Sequence, residues 1–314
     1  METNQEFEKF GSPNPDSPFI VMKFGGRSVA SFNNWCAIAQ LLEERIKQGF
    51  IPVVVHSALA GVSNTLEQLV DATTANESNV LLEKIHAVHC QLGDELGVSL
   101  AFIEEHLQTL HELVDSVRLV GEASPNIHAR IMATGELLAT NLGASYLEKK
   151  GLKAHWKDAR TLLQSVDQPD EKERVNFLSA SCEFGASPQL QRKLGKVDGF
   201  IVTQGFIARN PNGDTVLLGR GGSDTSAAYL AAQLEARRLE IWTDVPGFFS
   251  ADPKSIPTAR LLRELDYSEA QEIASAGGGI LHPRSISPVR KSGIPLFLRC
   301  TGHSDWGGTA VHHS

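Results

Sequence analysis

The sequence predicts an α/β fold in which short buried strands alternate with helices and pair mainly in parallel. Two apolar runs of strand length stand at residues 19–24 (FIVMKF) and 51–58 (IPVVVHSA). Between them, four apolar side chains recur at helical spacing and so share one face of a helix: Trp35, Ile38, Leu42 and Ile46. A strand, a helix and a second strand in this order form a βαβ unit, which requires parallel pairing.

Helices dominate the chain after this unit. Ser31 is placed to cap the first helix and Gly49 to end it. The segments at residues 62 to about 120 and 133–149 predict further helices. Because a sheet must bury its faces, we expect these helices to cover the first half of the sheet.

Strand signals return in the second half of the chain. Two strand-like segments, 199–206 and 214–220, flank the turn-rich link ARNPNG and predict a hairpin. The remaining predicted elements are one helix rich in small residues and two strands: 223–236, 239–244 and 294–300.

Composition and charge indicate a globular protein with small-molecule partners. A chain of 314 residues can build a sufficient core, and its formal net charge of −8 argues against general binding to nucleic acid or anionic membranes. Its cysteines include no CxxC pair and fit reduced thiols in the cytosol: Cys36, Cys90, Cys182 and Cys300. No apolar run approaches the ~18 residues of a membrane helix, and the polar residues 1–17 predict a loose extension. We therefore expect a cytoplasmic protein.

The first predicted strand carries a lysine near its end, and two glycines follow it directly before a helix. Gly25 and Gly26 would let the backbone approach an anion, and Lys23 adds a positive charge. The helix that begins near Ser31 would add its positive end. Short glycine patterns also occur in tight turns beside a solvent-facing lysine. The stretch by itself leaves a phosphate site and a tight turn as alternatives.

Two later strand ends carry similar loops. In LGRGGSDTSAA, Arg220 precedes two glycines, and Ser223 and Asp224 begin a helix. Arginine suits bidentate binding of a carboxylate or phosphate, whereas Asp224 could serve only as a helix cap. A third loop of this kind is WTDVPGFFSADPK, at residues 242–254. Three such strand ends fit the rule that open α/β sheets bind ligands outside the carboxyl ends of their strands.

Familiar nucleotide-binding signatures are missing from the sequence. It contains no GxxxxGK[ST] loop and neither HRD nor DFG, the signatures of P-loop proteins and protein kinases. No GxGxxG follows the first strand, and the second strand ends with His56 and Ser57 rather than with an acidic residue. A phosphate site in this chain must therefore be built in another way.

Six motifs follow one another along the chain: KFGGRSV, HSALAGVSNTL, TGELLAT, GRGGSDTSAA, WTDVPGFFSADPK and LHPRS. In this order they resemble the signatures of the aspartate kinases, within the amino acid kinase superfamily, over about residues 18–314. The resemblance implies the carbamate kinase-like fold, a three-layer αβα sandwich around an open sheet of about eight mainly parallel strands. It also implies an amino-acid-substrate lobe at about 18–218, an ATP lobe at about 219–314, and no C-terminal ACT domains in this chain.

The resemblance implies a reaction and the residues that would carry it. The reaction is ATP-dependent phosphorylation of the β-carboxylate of L-aspartate to 4-phospho-L-aspartate, the first step toward lysine or diaminopimelate, threonine and methionine. Lys23 and Asp224 would be catalytic, with Asp224 orienting Lys23. The substrate-binding residues would be Ser57, Ser63, Glu136, Arg220 and Ser223. The ATP-binding residues would be Lys23, Gly25, Gly26, Thr243, Asp244, Phe249 and Lys254.

Within the substrate site, the resemblance assigns a role to each end of aspartate. Ser57 and Ser63 would hold the reactive β-carboxylate, Glu136 the ammonium, and Arg220 the α-carboxylate. ATP would be the co-substrate, and Mg²⁺ would be held largely by its phosphates and by water rather than by protein ligands. Transfer to a carboxylate needs no general base, because the nucleophile is already ionised at neutral pH.

Four positions depart from the family pattern. The family usually has Thr at Arg27, Tyr at Phe249, Arg at Lys254 and Lys at Gly279. The missing lysine removes one positive charge expected near the ATP phosphates. Arg27 is a candidate for replacing it.

The sequence leaves other functions as alternatives. The chain could phosphorylate acetylglutamate, glutamate or UMP, or it could be a catalytically silent sensor of amino acids or nucleotides. Glu136 argues against acetylglutamate, because an acylated nitrogen carries no charge for a carboxylate to pair with. A homodimer is a further expectation, as is fusion to another regulatory or catalytic domain such as diaminopimelate decarboxylase.

Overall fold

The computed structural model describes residues 7, 9–72, 74–277 and 279–313. Its strands are β1 (Phe19–Phe24), β2 (Ile51–His56), β3 (Ala154–Lys157), β4 (Phe200–Gln204), β5 (Ile207–Arg209), β6 (Thr215–Leu217), β7 (Leu239–Thr243), β8 (Glu264–Asp266), β9 (Leu296–Cys300) and β10 (Thr309–His312). Eight of them form one open sheet in the order β3-β4-β2-β1-β7-β9-β10-β8. Within this sheet, the neighbours β3, β4, β2, β1, β7 and β9 pair in parallel. β10 is antiparallel to β9 and pairs in parallel with β8 at the edge. The prediction of a mainly parallel open sheet is confirmed.

Helices cover both faces of this sheet. They are α1 (Phe32–Lys47), α2 (Val62–Asp71), α3 (Ala75–Leu96), α4 (Ala101–Val120), α5 (Pro125–Lys149), α6 (Glu173–Leu178), α7 (Pro188–Leu194), α8 (Gly222–Gln233), α9 (Tyr267–Ser275) and α10 (Pro283–Ser292). Short 3₁₀ turns stand at Ala159–Thr161 and Ser304–Trp306. In the described residues, no helix combines the length and the apolar character that crossing a membrane requires.

Side chains of β1 point alternately into two hydrophobic cores, one on each face of the sheet. Ile20, Met22 and Phe24 pack into the core that α1 to α5 form on one face. Val21 packs into the opposite core, which includes α8, α9 and α10. The three-layer αβα arrangement is therefore confirmed. Lys23, two positions after Val21 in β1, points to the same face of the sheet as Val21, which is the side of α8.

The first βαβ unit forms as its sequence predicts. The Ser31 side chain accepts a hydrogen bond from the Asn34 N–H at the start of α1. Gly49, which follows the end of α1, has φ +87°, a left-handed conformation that favours glycine. β1 then pairs in parallel with β2.

Several predicted boundaries differ from the structure. The helix predicted at 133–149 begins at Pro125, because Ser124 caps it and proline fits the first helical turn. The predicted hairpin exists as β5 and β6, while the preceding strand ends at Gln204 and Phe206 turns the chain with φ 69°. The strands β3, β8 and β10 were not predicted, because runs of three or four residues carry little periodic signal.

Part of the predicted loose extension 1–17 is packed, which corrects that expectation. Phe7 is 3% exposed, and its ring meets the Phe297 ring edge-on at a centroid distance of 4.8 Å. Its ring also lies 4.3 to 5.0 Å from three guanidinium carbons, which belong to Arg45, Arg238 and Arg299. Residues 1–6 and 8 of the extension, like Ser314 at the end of the predicted kinase domain, lie outside the described residues.

The predicted boundary between two lobes, near residue 218, does not separate two sheets. The parts of the chain before and after it contribute strands to the same eight-stranded sheet. Strands β3, β4, β2 and β1 precede it in sequence, and β7 to β10 follow it. β1 and β7 join the two groups through parallel pairing. The carboxyl ends of β1, β2, β4 and β7 thus meet at one edge of the sheet, where KFGGRSV, HSALAGVSNTL and WTDVPGFFSADPK begin. One of the three predicted strand ends is corrected, because GRGGSDTSAA follows β6, which belongs to the separate two-stranded sheet of β5 and β6.

Candidate functional site

Loops from both halves of the sheet are tied together at this carboxyl edge. The Ser57 N–H donates to the Phe24 carbonyl at 3.2 Å, which joins the loop after β2 to the end of β1. The Gly25 N–H donates to the Trp242 carbonyl at 3.1 Å, which joins the loop after β1 to β7. Backbone bonds therefore hold the three loops next to one another.

A buried ion pair lies beside these loops. Lys23 Nζ is 2.6 Å from Asp224 Oδ1, and each residue is only 8% exposed. The two charged groups are therefore in direct contact. Asp224 stands in the first turn of α8, where a carboxylate interacts favourably with the positive helix end. Gly221, with φ +68°, starts this helix in the left-handed conformation.

The two glycines after β1 have separate spatial roles. A Cβ atom at Gly26 would lie 2.6 Å from the Ala58 carbonyl oxygen, so a side chain there would push apart the loops after β1 and β2. A Cβ atom at Gly25 would lie 3.7 Å from Lys23 Nζ and would fill space beside the ammonium. The loop therefore keeps partly exposed backbone close to a buried cation, an arrangement that suits a phosphate group.

Glu136 is a buried carboxyl group on α5 and is only 3% exposed. Its Oε1 accepts a hydrogen bond of 3.3 Å from the Ala58 N–H, while Oε2 has no hydrogen-bond partner in the described part of the chain. Burial raises the pKa of Glu136 to about 8, although the Ala58 bond opposes this rise. A cation bound at this carboxylate would favour ionisation and lower the pKa. The group can therefore recognise an ammonium.

The other predicted substrate residues stand on the loops at the same edge. Ser57 follows β2, Ser63 lies in the first turn of α2, and both are partly buried. Ser223 lies in the first turn of α8, where its Cβ leaves no room for a side chain at Gly205 after β4. Arg220 is exposed, and its guanidinium forms no hydrogen bond or ion pair with the described residues.

The predicted nucleotide residues divide into two groups. Thr243 ends β7, and its hydroxyl donates to Asp244 Oδ1 at 3.0 Å. Asp244 Oδ2 in turn lies 2.6 Å from the Arg27 guanidinium in the glycine loop. Phe249 and Lys254 stand further along the loop after β7, where Phe249 forms a bridge with Leu261 and the Lys254 N–H donates to Asp252. No hydrogen bond or ion pair among the described residues links these last two to the glycine loop.

Arg284, within the LHPRS motif, has an anchoring position that the sequence did not reveal. Its guanidinium donates to the Leu218 carbonyl at 2.8 Å and to the Ala180 carbonyl at 2.7 Å, and it also reaches the Ser181 hydroxyl at 3.0 Å. It thereby holds the backbone directly before the Arg220 loop. The only local feature in the sequence that could have indicated this role is the arginine directly after the proline that begins α10.

Potential metal ligands do not cluster in the described residues. In residues 7, 9–72, 74–277 and 279–313, no group of three or more His, Cys, Asp and Glu side chains is placed to hold a metal ion. Two carboxylates at this edge, those of Asp224 and Asp244, are paired with Lys23 and Arg27.

Comparison with known proteins identifies relatives of the whole described domain. A model described as the amino acid kinase family matches residues 18–300. Lysine-sensitive aspartokinase 3 of Escherichia coli (strain K12) is 33% identical over an alignment of 300 residues that covers 94% of this chain and 64% of that protein. A bifunctional aspartokinase/homoserine dehydrogenase of Buchnera aphidicola is 32% identical over 304 residues, covering 93% of this chain and 36% of that protein.

A solved structure agrees with these relatives. The crystal structure of E. coli aspartokinase III in complex with aspartate and ADP, in the R-state, superposes with a TM-score of 0.83 at 31% identity. The match covers 94% of this chain and 65% of that one. The chain thus spans just under two-thirds of the length of the E. coli relative and about a third of the bifunctional one.

Proposed function

This chain belongs to the amino acid kinase family, and we propose that it transfers the γ-phosphoryl group of ATP to the β-carboxylate of L-aspartate. The products would be ADP and 4-phospho-L-aspartate. Relatives named as aspartokinases support this choice of substrate, as does a solved relative that holds aspartate and ADP.

The observation that carries the proposal is the buried carboxyl group of Glu136. Its raised pKa and its unpartnered Oε2 mark a site that a cation would complete. Aspartate and glutamate bring an ammonium to such a site, whereas acetylglutamate and UMP do not. Together with the aspartokinase relatives, this feature favours aspartate among the substrates that the family offers.

The transfer itself would depend on alignment and charge. A β-carboxylate oxygen would attack the γ-phosphorus, and the bond from that phosphorus to the bridging oxygen of ADP would break, leaving its electron pair on ADP. Lys23 would neutralise the negative charge of the transferring group. Asp224 would hold the ammonium of Lys23 in place, and the Gly26 N–H would bind a phosphate oxygen, since the Gly25 N–H already donates to the Trp242 carbonyl.

The remaining residues would position the two substrates. Arg220, whose guanidinium is exposed and unpaired among the described residues, would take the α-carboxylate in two parallel hydrogen bonds. Ser57, Ser63 and Ser223 would contribute hydroxyl groups around the β-carboxylate. Thr243 and Asp244 would contact the nucleotide, with Phe249 and Lys254 further along the same loop.

Mg²⁺ would enter as part of the MgATP co-substrate. Because Asp224 and Asp244 already pair with cations, the metal would be held by the phosphates and by water. It would supply charge neutralisation at the β- and γ-phosphates. The homodimer, the fusion to a further domain and the separate lobes for aspartate and ATP stay predictions.

An ADP-release assay tests the proposal directly. The chain is incubated with MgATP and, in parallel, with aspartate, glutamate, acetylglutamate or UMP. We expect aspartate to give the highest kcat/KM, and hydroxylamine trapping to detect an acyl phosphate. A higher kcat/KM with another acceptor would show that this acceptor, rather than aspartate, is the substrate. Binding of ATP without turnover on any acceptor would favour a sensor instead.

A further inference from the structure

A single peptide group connects the buried imidazole of His56 to Glu136. His56 Nδ1 lies 3.0 Å from the carbonyl oxygen of Ser57. The N–H on the other side of the same peptide, that of Ala58, donates to Glu136 Oε1 at 3.3 Å. The imidazole, the peptide and the carboxylate therefore form one continuous chain of hydrogen bonds.

The direction of this chain follows from the chemistry of its members. A carbonyl oxygen can only accept, so Nδ1 must carry the proton and donate to Ser57. His56 is fully buried, and this burial lowers its pKa to about 4, so the ring is neutral at pH 7. Nε2 then carries no proton, and it has no partner among the described residues.

The His56 ring is packed between an aromatic side chain and the backbone of α5. Trp35 of α1 meets the imidazole edge-on at 5.5 Å between ring centroids. Gly143 of α5 lies so close that a Cβ atom there would stand 2.9 Å from Nε2 and would collide with the Trp35 ring. No charged side chain contributes to the shift of His56 or of Glu136. The only polar contact of the ring in the described residues is the Ser57 carbonyl.

We propose that His56 is a positioning residue, which holds the Ser57–Ala58 peptide so that its N–H points at the Glu136 carboxylate. A hydrogen bond to the carbonyl polarises the peptide and makes its N–H a stronger donor. That donor stabilises the ionised form of Glu136, which is the form that binds an ammonium. The inference rests on the proposed function only where it assigns that ammonium to aspartate.

A purely apolar site would not need this histidine. Burying an imidazole costs desolvation, and an apolar side chain of similar size would avoid that cost. Its unpaired Nε2 adds to the cost, because a buried acceptor without a partner is unfavourable. Among the described residues, the hydrogen bond to the Ser57 carbonyl is the polar interaction that offsets the cost of burying the His56 ring.

Three variants separate positioning from packing. His56→Leu removes the donor, and His56→Asn keeps an N–H close to the position of Nδ1. His89→Leu is the matched control, because His89 is also fully buried, has a pKa of about 4 and bonds through Nδ1 to a backbone carbonyl, that of Ile85. The His89 bond stays within α3, far in sequence from the glycine loop.

The primary measurement does not require catalysis. The pKa of Glu136 is followed by infrared spectroscopy of its carboxyl band, with Glu136→Gln as the subtraction reference. We expect His56→Leu to raise this pKa by roughly half a unit or more, His56→Asn to restore most of the change, and His89→Leu to leave it unaltered. An unchanged pKa in His56→Leu would overturn the proposal.

The kinetic readout depends on the proposed activity and is scored separately. With a chain that phosphorylates aspartate, His56→Leu should raise the KM for aspartate about 3- to 10-fold while the KM for ATP stays constant. Equal changes in both KM values would contradict positioning. If His56→Leu does not fold, nitrogen NMR of the unmodified chain decides: a proton on Nδ1 supports the inference, and a proton on Nε2 overturns it. Absence of turnover in the unmodified chain would reject the proposed function alone.

Discussion

Arg27 and Asp244 form an ion pair with 2.6 Å between their charged atoms, across a separation of 217 residues in the sequence. The pair joins the glycine loop after β1 to the loop after β7. Partial burial opposes ionisation of Asp244, yet hydrogen bonds from Arg27 and Thr243 keep its pKa below the usual value. Because both side chains are largely exposed, the pair adds little to folding stability. Its importance lies in keeping a guanidinium beside the proposed phosphate site.

The first prediction concerns Arg27, a position at which the sequence resemblance predicts threonine. Arg27→Thr should raise the KM for ATP by about 3- to 10-fold, because it removes a charged donor near the phosphates, and the melting temperature should stay unchanged. Steady-state kinetics with ATP as the varied substrate measure this. Arg209→Thr, which changes an exposed arginine of the β5–β6 hairpin, is the control. An unaltered KM for ATP would show that Arg27 does not reach the phosphates.

The second prediction concerns Lys23. Lys23→Ala should lower kcat by at least ~100-fold, because one preorganised charge aimed at the transition state is typically worth a few kcal/mol. Binding of ATP should suffer less, as titration calorimetry can measure. Lys153→Ala, which removes an exposed lysine paired with Asp198, serves as control. A kcat within a few-fold of the unmodified chain would mean that another residue carries the catalytic charge.

The third prediction tests the missing lysine at Gly279. This glycine is exposed with φ +70°, and a Cβ atom there would meet nothing closer than 3.8 Å. Gly279→Lys and Gly279→Ala should both lower stability by about 1 kcal/mol, because side chains disfavour the left-handed conformation. Only the lysine variant should tighten binding of ATP or raise kcat. Identical kinetics in the two variants would place this loop away from the triphosphate.

The fourth prediction separates recognition of aspartate from recognition of ATP. Arg220→Lys should raise the KM for aspartate about tenfold, because lysine cannot form the paired bonds of a guanidinium to the α-carboxylate. Glu136→Gln should act in the same direction through the ammonium, and the KM for ATP should move little in both variants. Kinetics with each substrate varied in turn measure this, beside a melting curve. Equal effects on the two substrates, with a lower melting temperature, would instead indicate that these residues only support the loops.

The fifth prediction is a pH dependence of stability caused by Glu136. The unfolded chain loses this proton near the ordinary pKa of 4.5, whereas the folded chain keeps it until about pH 8. The folded state therefore binds the extra proton between these values, and its stability relative to Glu136→Gln should fall as pH rises from 4.5 through 8. Melting temperatures of both proteins from pH 5 to 9 measure the difference. A constant difference across this range would show that Glu136 titrates normally.

The sequence by itself determined the local parts of the site. β1 carries Lys23 near its end and is followed by Gly25 and Gly26, and Ser31 caps the start of α1 as predicted. Strand length, helical spacing, capping and glycine conformation are set by residues within a few positions of one another, so these features can be predicted from a short stretch.

Only the tertiary structure decided which distant groups meet. The pairing of β1 with β7 and the position of α8 over β1 bring Asp224 to Lys23, although their separation in the chain carries no local signal. The packing of α5 against the loop after β2 buries Glu136 at Ala58, and this burial raises its pKa. The hydrogen-bond chain from His56 depends on the same contact. Desolvation and the proximity of charges are properties of the folded core, so the chemistry of these side chains is set by their neighbours in space rather than in sequence.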